Sequence, residues 1–187
     1  MVRDKIIDAA AIIFSQKGYH SASMDEIAQA AGVAKGSLYY HFHGKAELFT
    51  AVICEGIAAI RRQVETALAS ATDIKDIFSA FIACNLQASD DYTDLTELIM
   101  KEWMDDWDQE AVKKIKQAKE DYIRYAASLI DEGVQEGLLK PCDSYAAAVA
   151  YFSFLYAYFQ AARSQGHTME QIIQEATELT MRGLRST

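Results

Sequence analysis

The stretch Ser23–Phe49, reading SMDEIAQAAGVAKGSLYYHFHGKAELF, limits what this chain can become more than any other. Ser23 followed by Glu26 reads as a capping box: the hydroxyl satisfies a free backbone N–H at a helix start, and the carboxylate reaches back to do the same. Ile27, Ala28 and Ala31 then make one apolar edge of a short helix. Gly32 stops it, because glycine accepts the left-handed backbone that ends helices. Val33 plugs the turn, and Lys35–Phe42 forms a second short helix. Two short helices about a tight turn, leading into a longer helix, are helix-turn-helix grammar, in which the second helix enters the DNA major groove.

The second helix has the composition for that use. Lys35 sits in its first turn, and Gly36 and Ser37 are small enough to let the backbone approach a phosphate or a base edge. Tyr39, Tyr40 and His41 offer hydrogen-bonding tips on stiff bodies. Leu38 and Phe42 are four apart and face the same way, so they should anchor the helix to its own domain. Lys45 begins the next helix, where a lysine beside exposed helix N–H groups makes a phosphate clamp. A plainer reading, a packed helical hairpin with both tyrosines in its core, stays open on these residues alone.

The same residues resemble the DNA-binding region of the TetR family of bacterial transcriptional regulators. The likeness lies in the DEIAQAAGV turn, the KGSLYYHF recognition helix and the KAELF opening of the following helix. With the first helix it covers roughly residues 3–50, about a quarter of the chain; the remainder matches the family only in length and helical pattern. The resemblance implies a three-helix DNA-binding domain over residues 1–47, with a helical ligand-binding and dimerisation domain over 48–187. It also implies repression as the usual mode. It suggests that Ser23 touches phosphate, beside the DNA contacts at Lys35, Gly36, Ser37, Tyr39, Tyr40, His41 and Lys45. One departure is Ala34, where relatives often carry a serine cap; losing such a cap costs typically ~1 kcal/mol.

Only one proline, Pro141, interrupts 187 residues, and long runs of helix-period apolar residues fill most of the chain. The expectation is an all-α protein of about nine helices. No apolar run reaches the ~18 residues of a membrane helix, and the charged N-terminus lacks a signal-peptide segment, so the chain is expected to be cytoplasmic. Three dispersed cysteines, Cys54, Cys84 and Cys142, argue against a disulfide framework. The net charge of −9 is unevenly placed. Residues 1–47 hold five basic and five acidic side chains, leaving 13 basic against 22 acidic in the rest. A neutral head on an acidic body suits a protein that presents one end to DNA.

The first helix, about Arg3–Lys17, shows Ile6, Ala10, Ile13 and Phe14 on one face. After Gly44 a helix should run to about Ala69, with Leu48 and Phe49 in the small domain and Ile57, Ile60, Val64 and Leu68 in the large one. A helix of that length is a natural lever between the two. Another helix is expected over Ile74–Ala88. Ser89–Glu110 follows, with nine acidic residues, one lysine and both tryptophans. Tryptophan, methionine and a flanking carboxylate suit a pocket for a flat or cationic organic molecule, unless they are ordinary core with a solvated acidic rim. The candidate ligand contacts are Phe78, Phe81, Leu98, Glu102, Trp103, Trp107, Tyr122 and Tyr151. Lys113, Lys114, Lys116 and Lys119 read as a solvated face rather than a nucleic-acid patch.

Ser144–Ser164 is very apolar, and Met169–Leu184, capped by Thr168, has coiled-coil-like spacing. A stripe wider than one small bundle needs points to a symmetric four-helix interface between two copies, with a monomer core as the other reading. The dimer candidates are Phe152, Leu155, Tyr156, Phe159, Ile172, Ile173, Ala176 and Leu179. The sum is a homodimeric repressor released from a near-palindromic double-stranded operator by a small hydrophobic or aromatic effector. The alternative is a helical small-molecule or protein-binding dimer without specific DNA recognition. An enzyme is not expected: there is no HExxH, CxxC pair, glycine-rich phosphate loop or GxSxG, and His167 alone lies outside the head. No catalytic residue, cofactor or metal is expected, and no membrane partner.

Overall fold

Helix-period apolar residues and a single proline lead to eight helices in a computed structural model that describes residues 1–91 and 109–184. They are α1 (Val2–Ser21), α2 (Met24–Ala30), α3 (Lys35–His41), α4 (Lys45–Leu68), α5 (Ile74–Asp91), α6 (Gln109–Gln135), α7 (Ser144–Ser164) and α8 (Met169–Leu184). The described residues hold no β-strand, so the all-α expectation is met. The further helix expected in Ser89–Glu110 falls mostly outside the described residues. None of the described helices is long and apolar enough to cross a membrane.

The chain divides into two compact units, Met1–Ala58 with Ser89–Ala118, and Ala59–Ala88 with Lys119–Thr187. In the first unit, the α1 face read from the sequence is the core face. Ile6, Ala10 and Phe14 are fully buried, and Ile13 packs at the edge. Phe14 meets Phe49 of α4 edge-on at 5.0 Å, and Ile27, Leu38 and Leu48 close the same core. Each helix thereby turns one apolar face inward and leaves the other to solvent. Ile115, from α6, belongs to this core as well. The helical backbone breaks at Gly18, and one further turn follows it.

The second unit has its own core, built from Ile82 and Leu86 of α5, Leu155, Phe159 and Ala162 of α7, and Ile172 and Ala176 of α8. Asp143 caps α7 by accepting from the Ala146 N–H at 3.0 Å. Thr168 and Gln171 cap α8 reciprocally, as a hydroxyl and an amide each taking the other's backbone N–H. At Gly133 a side chain would meet Leu139 Cδ1 at 2.7 Å, so glycine allows the buried Leu139 to fold back over the end of α6.

Candidate functional site

The capping box forms as the residues dictate. The Ser23 Oγ accepts from the Glu26 N–H at 3.2 Å, and the Glu26 carboxylate accepts from the Ser23 N–H at 3.2 Å. Gly32 takes φ 65° at the end of α2, the left-handed region that glycine enters without strain. The Val33 N–H then reaches the Ala28 carbonyl at 3.0 Å, closing the turn. Leu38 and Phe42 are both buried, so α3 is pinned by the pair expected to anchor it. Ala34 gives α3 no side-chain cap.

Pinned that way, α3 turns Lys35, Gly36, Tyr39 and Tyr40 outward, with Ser37 and His41 half-buried beside them. Tyr40 is 81% exposed and Tyr39 40% exposed. The Tyr40 and His41 rings meet edge-on at 5.2 Å. A Cβ added at Gly36 would meet nothing within 4 Å, so the fold itself does not require glycine there.

Four of the head's five basic side chains are already engaged. Lys35 Nζ lies 2.7 and 2.9 Å from the two carboxylate oxygens of Asp25, and that hydrogen bond raises the lysine's pKa. Lys17 holds Glu26 at 2.6 Å. Hydrogen bonds from Lys17 first and Ser23 second hold the Glu26 carboxyl below its ordinary value. Arg3 pairs with Glu55 at 3.2 Å. Lys45 turns inward: its ammonium donates to the His20 and Ala22 carbonyls at 3.0 and 2.9 Å and sits 4.7 Å from the centre of the Tyr19 ring. It thereby ties the α1–α2 loop to the start of α4. The Ser23 hydroxyl is likewise taken up by Glu26. None of these pairings follows helical spacing except the capping box, so sequence reading passed them over.

The second unit contains a cavity of ≈ 30 Å³ among α5, α6, α7 and α8. Phe78, Phe81 and Tyr151, read as ligand contacts, line it, together with Ile74, Ala148 and Leu184. Tyr122 stands next to this wall, stacked on Phe81 at 6.1 Å with its hydroxyl donating to Asn85 Oδ1 at 3.1 Å. The Tyr151 hydroxyl is buried and finds no hydrogen-bond partner among the described residues. Leu98, Glu102, Trp103 and Trp107 lie outside the described residues. Of the dimer candidates, Leu155, Phe159, Ile172 and Ala176 are buried in the chain's own core, and Phe152, Tyr156 and Ile173 are half-buried. Leu179 is 47% exposed, and Tyr145 and Val149 on α7 are exposed as well. Among the described residues no group of three His, Cys, Asp or Glu side chains could hold a metal ion.

The family model described as bacterial regulatory proteins, tetR family, matches residues 6–52, and that described as tetracyclin repressor-like, C-terminal domain, matches residues 71–184. The chain belongs to the TetR family. TetR-family relatives of this chain carry the names of DNA-binding transcriptional regulators. The uncharacterised HTH-type transcriptional regulator YhgD of Bacillus subtilis is 26% identical over 138 residues, 74% of this chain and 72% of YhgD. The HTH-type transcriptional activator FasR of Mycolicibacterium smegmatis is 44% identical over 71 residues, 38% of this chain. That alignment spans only 32% of FasR. Among solved structures, the fatty acid degradation regulator FadR from Bacillus halodurans superposes with a TM-score of 0.79 at 22% identity, covering 95% of this chain and 93% of that one. FadR from Bacillus subtilis, in complex with stearoyl-CoA, gives 0.78 at 20% identity, covering 95% and 96%. At such identities the likeness is one of fold. The TetR-family head is thus the DNA-binding element of a transcriptional regulator.

Proposed function

We propose that this TetR-family regulator is a homodimeric repressor that leaves a near-palindromic operator when a small, largely apolar effector enters its helical C-terminal region. The observation that carries the DNA side is the outward face of α3. A tyrosine left 81% exposed on a helix anchored by two buried neighbours is placed to meet another body. Lys35, Gly36, Ser37, Tyr39, Tyr40 and His41 form the reading face. Ser23 and Lys45 support the frame that presents it, with Lys45 holding the loop before the Ser23 cap. The domain division at residue 47 belongs to the same proposal, with residues 1–47 as the reading head and 48–187 as the regulatory body.

The effector side is supported by the apolar lining of the cavity by Phe78, Phe81 and Tyr151. That the neighbour FadR of Bacillus subtilis was crystallised with stearoyl-CoA supports an effector with an apolar portion. Repression is supported by the relative IcaR of Staphylococcus aureus, a negative transcriptional regulator 46% identical over 48 residues, 26% of each chain.

The test is fluorescence anisotropy of labelled duplex from upstream of the protein's own gene, at two salt concentrations and against a scrambled duplex. Preferential binding that falls steeply with salt is the expected result, since released counterions make phosphate contacts salt-sensitive. Tyr40→Ala should weaken binding by about tenfold while the fold is kept, because the ring packs against little of its own chain. Equal, weak, salt-insensitive binding to both duplexes would favour a helical binding module without specific DNA recognition.

A further inference from the structure

We infer that Arg3, in the first turn of α1, is a positioning residue for operator reading, holding the far end of α3 against α4. This role rests on the reading face proposed above for α3 and concerns how that face is kept in place. The Arg3 guanidinium carbon stands 5.6 Å from the centre of the Phe42 ring, and its Nη1 donates to Glu55 Oε1 at 3.2 Å. One side chain of α1 thereby meets the residue that closes α3 and a carboxylate of α4.

Phe42 is the place where such a contact has consequences. It is 2% exposed, it ends α3 in extended backbone, and its N–H donates to the Leu38 carbonyl at 2.9 Å. A helix of seven residues has about two turns, so few contacts fix its tilt. Lys35 ties the start of α3 to Asp25 of α2, and Leu38 is buried at its middle. Arg3 acts on the other end. Tyr39, Tyr40 and His41 immediately precede Phe42, so a shift of that anchor carries them with it. Base edges are read by hydrogen bonds, which weaken steeply when donor and acceptor are misaligned.

The arrangement suits arginine in particular. A guanidinium is flat, so it can lie against a ring while an N–H on its edge reaches a carboxylate; a lysine ammonium is a compact point charge without that fork. Glu55 is the group that aims it. A phosphate contact by Arg3 would give Glu55 the opposite part. The carboxylate would then compete with DNA for the guanidinium, and removing it would tighten binding. The two roles therefore differ in the sign of the Glu55 effect.

Arg3→Lys and Glu55→Gln test this by anisotropy on the upstream and scrambled duplexes across a salt series. Arg3→Lys keeps the charge, and its preference for the upstream duplex should fall about fivefold, the worth of one exposed cation–π contact at the upper end of its range. Glu55→Gln should shift the preference in the same direction, and neither should change the salt slope. A variant that merely folds less well would lose both duplexes in the same proportion. Tighter binding with a steeper slope in Glu55→Gln, or an unchanged preference in Arg3→Lys, would overturn the positioning role. Hydrogen exchange of the free protein reads the same restraint without DNA. The Phe42 amide should exchange faster in both variants while the amides of α2 keep their rates, and an unchanged Phe42 rate would also overturn the role. Failure of the unsubstituted protein to prefer the upstream duplex would count against operator reading itself, and the exchange rates would still judge Arg3.

Discussion

Tyr40 and Asp25 illustrate how single side chains set the character of the reading face. Tyr40 is left bare by its own fold, whereas Lys35 beside it is held by Asp25 through both carboxylate oxygens. Both partners of that pair are largely exposed, and exposed pairs add little to stability. Their consequence is for binding: a phosphate approaching Lys35 must displace a carboxylate that already occupies it. Asp25→Asn should therefore raise DNA affinity severalfold at low salt. It should steepen the logarithmic dependence of affinity on salt by about one, as expected when one more lysine is freed to neutralise a phosphate. Anisotropy across a salt series reads both quantities. An unchanged slope would mean that Lys35 stays out of the phosphate contacts. The side chains of α3 were legible in the sequence because their exposure follows from two anchors four residues apart. The Asp25 pairing was not, because it joins residues ten apart across a turn.

Among the elements, α3 is the least self-sufficient. It has seven residues, no side-chain cap and a glycine in its first turn. Helices so short do not persist on propensity alone, and burial of Leu38 and Phe42 holds this one in place. Gly36→Ala separates stability from function. Glycine within a helix costs roughly 0.5–1 kcal/mol relative to alanine, and the added Cβ meets nothing in the chain. The variant should melt a few degrees higher and yet bind operator more weakly, because the methyl stands where a DNA backbone or base edge approaches. Paired thermal melts and DNA titrations decide it; stronger melting with intact DNA affinity would remove Gly36 from the interface. The longer helices tell a different story. The α4 helix, 24 residues and about 36 Å long at ~1.5 Å per residue, contributes residues to both units. Its Lys45 was expected to face phosphate, and the structure turns it toward two carbonyls more than twenty residues earlier. Spacing along one helix carries no trace of that contact.

For the whole molecule, the proposed dimer depends on what the chain leaves uncovered. Leu155, Phe159, Ile172 and Ala176 are used inside one copy, so a charge at Leu155 would unfold the second core rather than separate a pair of chains. Leu179, with Tyr145 and Val149, remains open to a partner. Leu179→Glu should yield folded monomers by light scattering and weaken operator binding, since two half-sites would no longer be held together. Retention of the dimer would place the interface on another face. By itself the sequence determined the helices, their caps, the turn at Gly32 and the anchoring of α3, because those depend on hydrogen bonds and apolar spacing within four or five residues. Only the tertiary structure decided which apolar stripes close upon one another and which stay open. It also decided where the head's cations find their partners, and that Phe78, Phe81 and Tyr151 come together around a cavity walled by four helices. Those outcomes depend on which faces meet after distant segments fold together, and the energies that choose among them are shared by residues far apart in the chain.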